Sequence, residues 1–191
     1  TLWSTWTGQC LHTLAGHTKP VCHLVLQKGF LATASKDSTV KTWDVHSGCL
    51  LHTLAGHSDE VCRLAVKGNA IVSASCDRTL KVWEVTPASW RLVWSFAAHS
   101  FTVFAAAFDG EIALAAYLDG LAMAWDTRAG HLLWKMRGHQ GLIEAVALNS
   151  GIAVTVAGDN TAKVWQIRSR RLLHTFRGHL RKVHAVAICS S

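Results

Sequence analysis

The sequence predicts an all-β fold built from repeated four-stranded sheets, and two observations support that prediction. The first is an internal repeat with a period of about 40 residues. The second is that short apolar segments, rich in β-branched residues and separated by turn residues, fill the repeat without a sustained helical period. A single unit of this kind cannot bury its own apolar faces, so each sheet is expected to pack against its neighbours.

Histidine marks the repeat at a nearly constant interval, and a glycine precedes four of the five histidines. A tryptophan follows each of the first four histidines at one fixed spacing, and an aspartate stands six residues before each tryptophan. The sets are His17, Asp37 and Trp43; His57, Asp77 and Trp83; His99, Asp119 and Trp125; and His139, Asp159 and Trp165, with His179 closing the series. Three residue types in fixed register four times indicate one structural unit used repeatedly.

Four strands are predicted in each repeat, all within one domain over residues 1–191. The predicted sheets span residues 20–54, 60–96, 102–136 and 142–176, with partial strands at 9–14 and 183–188. In each sheet the first strand follows the histidine and the third ends at the tryptophan. Only 16% of the residues are charged, against about 25% in an average soluble domain, so most strands are expected to be covered on both faces.

The Gly-His and Trp-Asp marks, which recur in repeats of four predicted strands, resemble those of the WD-repeat β-propeller family over essentially the whole chain. The second mark is imperfect, since Trp83 is followed by Glu84 and Trp165 by Gln166. The resemblance implies a propeller of four complete four-stranded blades plus leftover strands. Because propellers usually have 4–8 blades, and WD rings about seven, the chain is expected to be a fragment of a larger ring. Its start at Thr1 rather than Met favours the same interpretation.

A hydroxyl residue stands four residues before the aspartate in the first, second and fourth repeats, whereas the third has Ala115. Taken once, a histidine, a hydroxyl and an aspartate would indicate nucleophilic catalysis. Recurrence favours a structural role, since a protein needs one active site but every blade needs the same support. The resemblance implies a hydrogen-bonded tetrad in each intact blade: His17-Thr33-Asp37-Trp43, His57-Ser73-Asp77-Trp83 and His139-Thr155-Asp159-Trp165. The third tetrad is expected to be broken, leaving His99 short of one partner.

An enzyme is not predicted. The sequence has no Walker loop, H-E-x-x-H, G-x-S-x-G or cysteine-nucleophile signature, so neither catalytic residues nor a cofactor are expected. The six cysteines contain no C-x-x-C pair, which argues against zinc. Cys22 and Cys62 share one repeat position, and Cys10 and Cys49 share another. These cysteines are therefore interpreted as small core residues kept reduced, which favours a cytosolic or nuclear location.

A protein-interaction scaffold is the expected function, with a protein or peptide as partner and no membrane. In WD propellers the partner-binding face carries the loop after each histidine and the turn that contains the aspartate. At these places the chain has an apolar sector, consisting of Phe101, Phe104, Leu118 and Leu142. Phe104 and Leu142 can alternatively pack into the blade. Lys36 and Glu60, on the first two blades, are expected to orient a partner by charge.

The hairpin between the first and second strands is short in every repeat, and together with residues 7–14 it resembles the F-box/WD proteins. That resemblance implies substrate recognition in a ubiquitin ligase. In those proteins, arginines on the partner-binding face grip phosphorylated peptides by bidentate contacts. This chain has only Lys36 and His184 at the matching places, which argues against a phosphopeptide partner.

Nucleic-acid binding is the alternative function, and it rests on the uneven charge. The formal net charge is +7, and no acidic residue follows Asp159. The seven basic residues beyond it are Lys163, Arg168, Arg170, Arg171, Arg177, Arg181 and Lys182. A basic segment is typical of nucleic-acid contact. The simpler interpretation is a solvated blade edge whose acidic neighbours lie in sequence missing from this chain.

Overall fold

The computed structural model describes residues 1–27, 29–97 and 101–188, and all regular secondary structure among them is β-strand. A short antiparallel pair, β1 (Leu2–Trp3) and β2 (Cys10–His12), comes first. Four sheets follow, each with four antiparallel strands in chain order, so the predicted fold class is confirmed. We call these sheets blades 1 to 4.

The strands of the blades are as follows. Blade 1 contains β3 (Val21–Gln27), β4 (Phe30–Ser35), β5 (Thr39–Asp44) and β6 (Leu50–Ala55). Blade 2 contains β7 (Val61–Lys67), β8 (Ala70–Ser75), β9 (Thr79–Val85) and β10 (Trp90–Ala97). Blade 3 contains β11 (Val103–Phe108), β12 (Ile112–Tyr117), β13 (Ala122–Asp126) and β14 (His131–Met136). Blade 4 contains β15 (Ile143–Asn149), β16 (Ile152–Ala157), β17 (Ala162–Gln166) and β18 (Arg171–Phe176).

The apolar cores lie between consecutive blades. Each core combines the last large side chain of one blade's fourth strand with the repeat tryptophan of the next blade. The pairs are Leu54 with Trp83, Phe96 with Trp125 and Met136 with Trp165. The first strands of neighbouring blades also contact each other, β3 with β7, β7 with β11 and β11 with β15. Both faces of the middle strands are therefore covered, which explains why all six residues of β12 are buried.

The turn after each aspartate requires a left-handed backbone. The residues directly after Asp37, Asp77, Asp119 and Asp159 have φ values of 68°, 68°, 79° and 61°. In blade 3 this residue is Gly120, where a Cβ atom would lie 2.8 Å from the backbone oxygens of His139 and Gly141. Blade 4 approaches this turn so closely that only glycine fits without displacement.

The two end blades each leave one apolar face exposed. On the first strand of blade 1, Leu24 is 58% exposed, whereas its blade 2 equivalent Leu64 is 3% exposed. On the last strand of blade 4, Phe176 is 56% exposed, whereas Leu54 at the same place in blade 1 is 1% exposed. The four blades therefore form an open arc.

The strand predicted over residues 183–188 is not formed. A strand needs a neighbour to accept its ladder hydrogen bonds, and the described residues offer this segment none. Its apolar residues Val183, Val186 and Ile188 are only half-buried. Apolar, β-branched sequence is typical of a strand, but it does not show whether a pairing strand is available.

Candidate functional site

The recurring histidine, hydroxyl, aspartate and tryptophan are linked by hydrogen bonds inside blades 1, 2 and 4. In blade 2, Trp83 Nε1 donates to Ser73 Oγ at 2.8 Å, and Ser73 Oγ lies 2.7 Å from His57 Nε2. His57 Nδ1 lies 2.7 Å from Asp77 Oδ2. Blades 1 and 4 repeat the contacts at 2.7 to 2.9 Å through His17-Thr33-Asp37-Trp43 and His139-Thr155-Asp159-Trp165.

The tetrads of blades 2 and 4 favour a neutral imidazole. Burial lowers the pKa of His57 and of His139, although the neighbouring aspartate opposes this in each case. A neutral ring protonated at Nδ1 satisfies every contact, because it donates to Asp77 and accepts from the Ser73 hydroxyl. Burial raises the pKa of Asp77, but hydrogen bonds from Thr79 and His57 outweigh it and lower that pKa to about 2.

The tetrads are structural rather than catalytic in their geometry. The Ser73 hydroxyl is fully buried, and its oxygen already accepts from Trp83. A nucleophile needs an open approach for the atom that it attacks, which this arrangement denies. The carboxylate is equally occupied, since Asp77 also accepts from the Thr79 hydroxyl and from the Ser58 amide.

Blade 3 has Ala115 at the hydroxyl position, so it cannot form the complete tetrad. Its tryptophan, Trp125, instead stacks on Phe96 of blade 2 with ring centres 5.5 Å apart and planes 15° apart. Trp125 therefore joins blades 2 and 3 through aromatic packing. The expectation that His99 lacks a partner falls on a residue outside those that the structure describes, and it stays a prediction.

A β-bulge places one side chain of each blade at the edge of the first hairpin. The register shifts at the residue five after each repeat histidine, namely Cys22, Cys62, Phe104 and Glu144. Fourteen residues later, just before each aspartate, stand Lys36, Cys76, Leu118 and Gly158. We call these eight residues the rim. Bulges re-aim side chains, and here the same device recurs in every blade.

The predicted apolar sector is divided between exposed and half-buried side chains. Phe101 is 45% exposed and Leu118 is 42% exposed. Phe104 and Leu142 are half-buried. The Leu142 carbonyl accepts from the Gly158 amide at 2.9 Å, which ties the loop after the histidine to the aspartate turn in blade 4. Exposure of this sector is therefore concentrated at Phe101 and Leu118.

Lys36 and Glu60, predicted as separate charges, form an ion pair with each other. Lys36 Nζ lies 3.1 Å from Glu60 Oε2, and both side chains stay more than a third exposed. The hydrogen bond and charge of Glu60 raise the pKa of Lys36. The pair bridges blades 1 and 2, a contact that spacing within one repeat could not reveal.

The interpretation of the cysteines as core residues is wrong for those that the structure describes. Cys10 and Cys49 are exposed, and Cys22, Cys62 and Cys76 are half-buried, while Cys189 lies outside the described residues. The Sγ atoms of Cys62 and Cys76 are 3.1 Å apart. Sequence reasoning noted both rim positions but not that they meet across one hairpin. In the described ranges, no three His, Cys, Asp or Glu side chains gather as a metal site.

Two residues of the basic segment pair with acidic side chains of this chain, whereas their acidic neighbours were expected in missing sequence. Arg168 Nη2 lies 3.1 Å from Glu111 Oε2, and Lys182 Nζ lies 3.1 Å from Glu144 Oε1. Lys163 is buried, and its Nζ lies 3.1 Å from Thr175 Oγ1. Three of the seven basic residues are therefore engaged in intramolecular contacts. In the described part of the chain, no helix has the length and apolarity needed to cross a membrane.

One place in the fourth strand has a role that sequence reasoning missed. Its side chain bonds to a backbone carbonyl of the next blade. His52 Nε2 lies 2.8 Å from the Thr86 oxygen, and Trp94 Nε1 donates to the Thr127 oxygen at 2.7 Å. His12 makes the same contact to His46 at 2.8 Å. The shared feature is a ring nitrogen, which is why histidine and tryptophan exchange at this place.

These features define a β-propeller repeat protein whose blades are braced by buried hydrogen bonds. The family model described as "WD domain, G-beta repeat" matches residues 8–44 and 48–84. The chain belongs to the WD-repeat family. Proteins of this family are generally non-catalytic scaffolds that bind protein partners.

Solved structures similar to this chain are propellers of different lengths. The computationally designed Ika8 protein superposes with a TM-score of 0.91 at 34% identity, covering 98% of this chain and 58% of that one. The designed Ika4 protein gives a TM-score of 0.77 at 35% identity, covering 84% of this chain and 99% of that one. The structure of U3-55K gives a TM-score of 0.78 at 27% identity, covering 89% of this chain and 55% of that one.

Similarity to curated proteins is limited to about one repeat. Mitochondrial division protein 1 from Neurospora crassa is 46% identical over 43 residues, which are 22% of this chain and 7% of that protein. The periodic tryptophan protein 2 homolog from Schizosaccharomyces pombe is 49% identical over 45 residues, which are 22% of this chain and 5% of that protein. The matches therefore span a small part of these relatives.

Proposed function

We propose that the chain captures a protein or peptide segment on the face that bears the aspartate turns, through the apolar sector of blades 3 and 4. The observation that supports this most directly is the exposure of Phe101 and Leu118, at 45% and 42%. Neither belongs to the three buried inter-blade cores. Exposed aromatic and aliphatic side chains beside half-buried ones are typical of binding hot spots.

The neighbouring residues give this sector a fixed shape. Leu118 lies on the hairpin of blade 3 together with Phe104, whose ring is held by the Arg63 guanidinium 5.5 Å from its centre. Gly158 has no side chain, so the rim is lower at blade 4. A partner's apolar side chain would therefore contact the Phe104 ring beside the lower part of the rim at Gly158. Surfaces held in place before binding lose less conformational entropy when they bind.

The ion pair of Lys36 and Glu60 determines what blades 1 and 2 contribute to partner binding. Since they neutralise each other at 3.1 Å, they offer a partner polar contacts without a net charge. Exposed ion pairs contribute little binding energy. Capture is therefore expected to depend on apolar anchors and to respond weakly to salt, unlike binding to nucleic acid, which falls steeply with salt.

The decisive test replaces Phe101 and Leu118 with serine together. A photo-crosslinking residue in place of Leu118 would first identify the partner. The matched control carries the same residue in place of Leu180, which is 95% exposed. The double variant should then weaken capture of that partner by about 2 kcal/mol or more if both are hot spots. Its thermal melt should stay near that of the unsubstituted chain, and Trp125→Ala provides the folding-defective control. Unchanged capture by a well-folded double variant would place binding elsewhere, with the basic segment at 168–171 the next region to test.

Substrate recognition in a ubiquitin ligase, in the cytosol or nucleus, is the finer proposal. It is supported by the short hairpins and by the resemblance of residues 7–14 to F-box/WD proteins. The expected result is a longer half-life of the crosslinked partner in cells depleted of the full protein, with restoration by the unsubstituted protein but not by the double serine variant. A partner that is captured but keeps its half-life would leave the scaffold without this role.

A further inference from the structure

Two thiols meet at the rim of blade 2, outside the apolar sector. Cys62 Sγ and Cys76 Sγ lie 3.1 Å apart, close enough to share a hydrogen atom. Both residues are half-buried rather than sealed in a core, so a small solute can reach them. The corresponding places in the other blades hold Cys22 with Lys36, Phe104 with Leu118, and Glu144 with Gly158. Among the rim pairs, only blade 2 therefore has two sulfurs.

The backbone holds these thiols together. Cys62 is the extra residue of the bulge, because Val61 pairs with Ser75 while Arg63 pairs with Ala74. The Cys76 amide donates to the Glu60 oxygen at 2.9 Å, which fixes the far end of the hairpin beside the bulge. Arg63 Nη1 also donates to the Cys62 oxygen at 2.9 Å. Strand pairing therefore holds the two cysteine residues side by side at the end of the hairpin.

We propose that Cys62 and Cys76 form an oxidisable dithiol site, which a hydroperoxide converts into a disulfide across the hairpin of blade 2. In the first step the Cys76 sulfur attacks the peroxide oxygen, the O–O bond breaks, and the leaving oxygen takes the Cys76 thiol proton and departs as an alcohol or water. This produces a sulfenic acid on Cys76. In the second step the Cys62 sulfur attacks that sulfur, the S–O bond breaks, and water leaves with the Cys62 proton. The two thiols lose two electrons, and the peroxide gains them.

The surroundings of the two sulfurs indicate which one attacks the peroxide and which one resolves the sulfenic acid. Burial, with the adjacent Cys76 sulfur, raises the pKa of Cys62 to about 12. Either sulfur could donate in this contact, and we assign the S–H donor role to Cys62 because it holds its proton more firmly, which makes the Cys76 sulfur the acceptor. A donated hydrogen bond supports the Cys76 sulfur as it becomes the attacking nucleophile, and Cys62 is then in place as the resolving thiol.

Closing the bond requires only a small movement. A disulfide has its sulfurs about 2.0 Å apart, so the two sulfurs must approach by about 1 Å from their present separation. Side-chain rotation supplies such a shift without breaking the bond between the Cys76 amide and the Glu60 oxygen. The exposed Cys10 and Cys49 have no sulfur partner among their hydrogen bonds in the described residues. The dithiol belongs to blade 2 alone, and its oxidation does not depend on whether the apolar sector binds a partner.

The experiment treats the folded chain with one equivalent of hydrogen peroxide, blocks remaining thiols by alkylation, and maps the peptides. Digestion with trypsin and a glutamate-specific protease is needed, because trypsin alone leaves Cys49 and Cys62 on one peptide. We expect a peptide pair joined through Cys62 and Cys76, 2 Da lighter than the reduced pair, which a dithiol reductant separates again. Cys49→Ser is the matched control and should leave the yield unchanged.

Two variants distinguish the roles of the sulfurs. Cys62→Ser should accumulate a sulfenic acid on Cys76 that dimedone traps. Cys76→Ser should reduce oxidation at position 62 at least about tenfold, given the protonated Cys62 thiol. Phenylarsine oxide, which binds vicinal dithiols with release of water, should bind one equivalent to the reduced chain and none to either variant. A folded chain that yields only single-thiol adducts or intermolecular dimers would overturn the proposal.

Discussion

The guanidinium carbon of Arg63, on blade 2, lies 5.5 Å from the ring centre of Phe104, on blade 3. This contact bears on the two interpretations of Phe104 that the sequence left open. The ring is half-buried and supports the junction of two blades while one part remains at the rim. Phe104 therefore contributes to stability while it also belongs to the apolar sector.

The Arg63–Phe104 contact should be measurable as a coupling energy. Arg63→Met keeps the apolar stem but removes the charge, and Phe104→Leu keeps an apolar side chain but removes the ring. Each change should lower the free energy of unfolding, and the coupling in the double variant should be about 0.5–1 kcal/mol, the usual size of a partly exposed cation–π contact. Chemical denaturation of the four proteins gives the value. Strictly additive effects would show that proximity here carries no specific attraction.

The Ser73 hydroxyl should be the most sensitive atom of the blade 2 tetrad. Ser73→Ala leaves both Trp83 Nε1 and His57 Nε2 buried without their present partner. We expect a loss of about 2–3 kcal/mol in the free energy of unfolding, because unpaired buried polar groups cost more than the bond itself contributes. Ser73→Thr should retain most of the stability, since Thr33 and Thr155 serve at this place in blades 1 and 4.

A matched control for that loss is Ser58→Ala. Ser58 is exposed, and its contact with Asp77 runs through the backbone amide, which alanine retains. Its free energy of unfolding should stay within about 0.5 kcal/mol of the unsubstituted chain. Equal losses at positions 58 and 73 would contradict the assignment of the hydroxyl as the centre of the tetrad.

The free energy of unfolding should decrease in two separate pH ranges as the pH is lowered. Burial lowers the pKa of His57 and His139 in the folded chain, so below about pH 6.5 the unfolded chain binds more protons and the folded state loses free energy. The carboxylates act in the lower range. The folded pKa of Asp77 is about 2, so its contribution is complete above about pH 4 and is lost as the pH falls towards 2.

The measurement is the free energy of unfolding from pH 8 to pH 3, together with proton NMR of the imidazole rings. A plateau above pH 7 and a decline that begins below pH 6.5 are expected. His57→Asn should reduce the slope between pH 6.5 and 5 while lowering stability at every pH, because it removes one titrating group from the tetrad. Titration of His57 in the folded chain above pH 6.5 would contradict the burial argument.

The sequence was sufficient for the features that recur. The four-stranded sheets follow from the repeat and its strand pattern. The contacts of His57, Ser73, Asp77 and Trp83 are those that the resemblance to WD repeats implied, and constant spacing carries them from blade to blade. The broken tetrad at Ala115 was also visible. The stacking of Phe96 on Trp125 was not visible, because Phe96 reaches Trp125 from another blade.

Contacts between blades are what the sequence could not provide. Lys36 and Glu60 belong to different blades, and so do Arg168 and Glu111. No period predicts such pairs, because they depend on the angle between blades. The thiol pair at Cys62 and Cys76 lies within one hairpin, yet it depends on a bulge that shifts one strand by one residue. Hydrophobic pattern alone does not locate a bulge.

The exposed face of blade 1 should control the solubility of the chain, and repetition supplies the control. Leu24 is 58% exposed and Leu64, at the same place in blade 2, is 3% exposed. Leu24→Lys should raise the concentration at which the chain stays free of aggregates and change the free energy of unfolding by less than about 0.5 kcal/mol, because it interrupts an exposed apolar face without burying a charge. Leu64→Lys should cost about 3 kcal/mol or more, since it places a charge in the core between blades 1 and 2. Light scattering during concentration and denaturant unfolding test both variants side by side. Equal destabilisation by the two lysines would mean that Leu24 is covered in solution, and the open arc would then be wrong at its first blade.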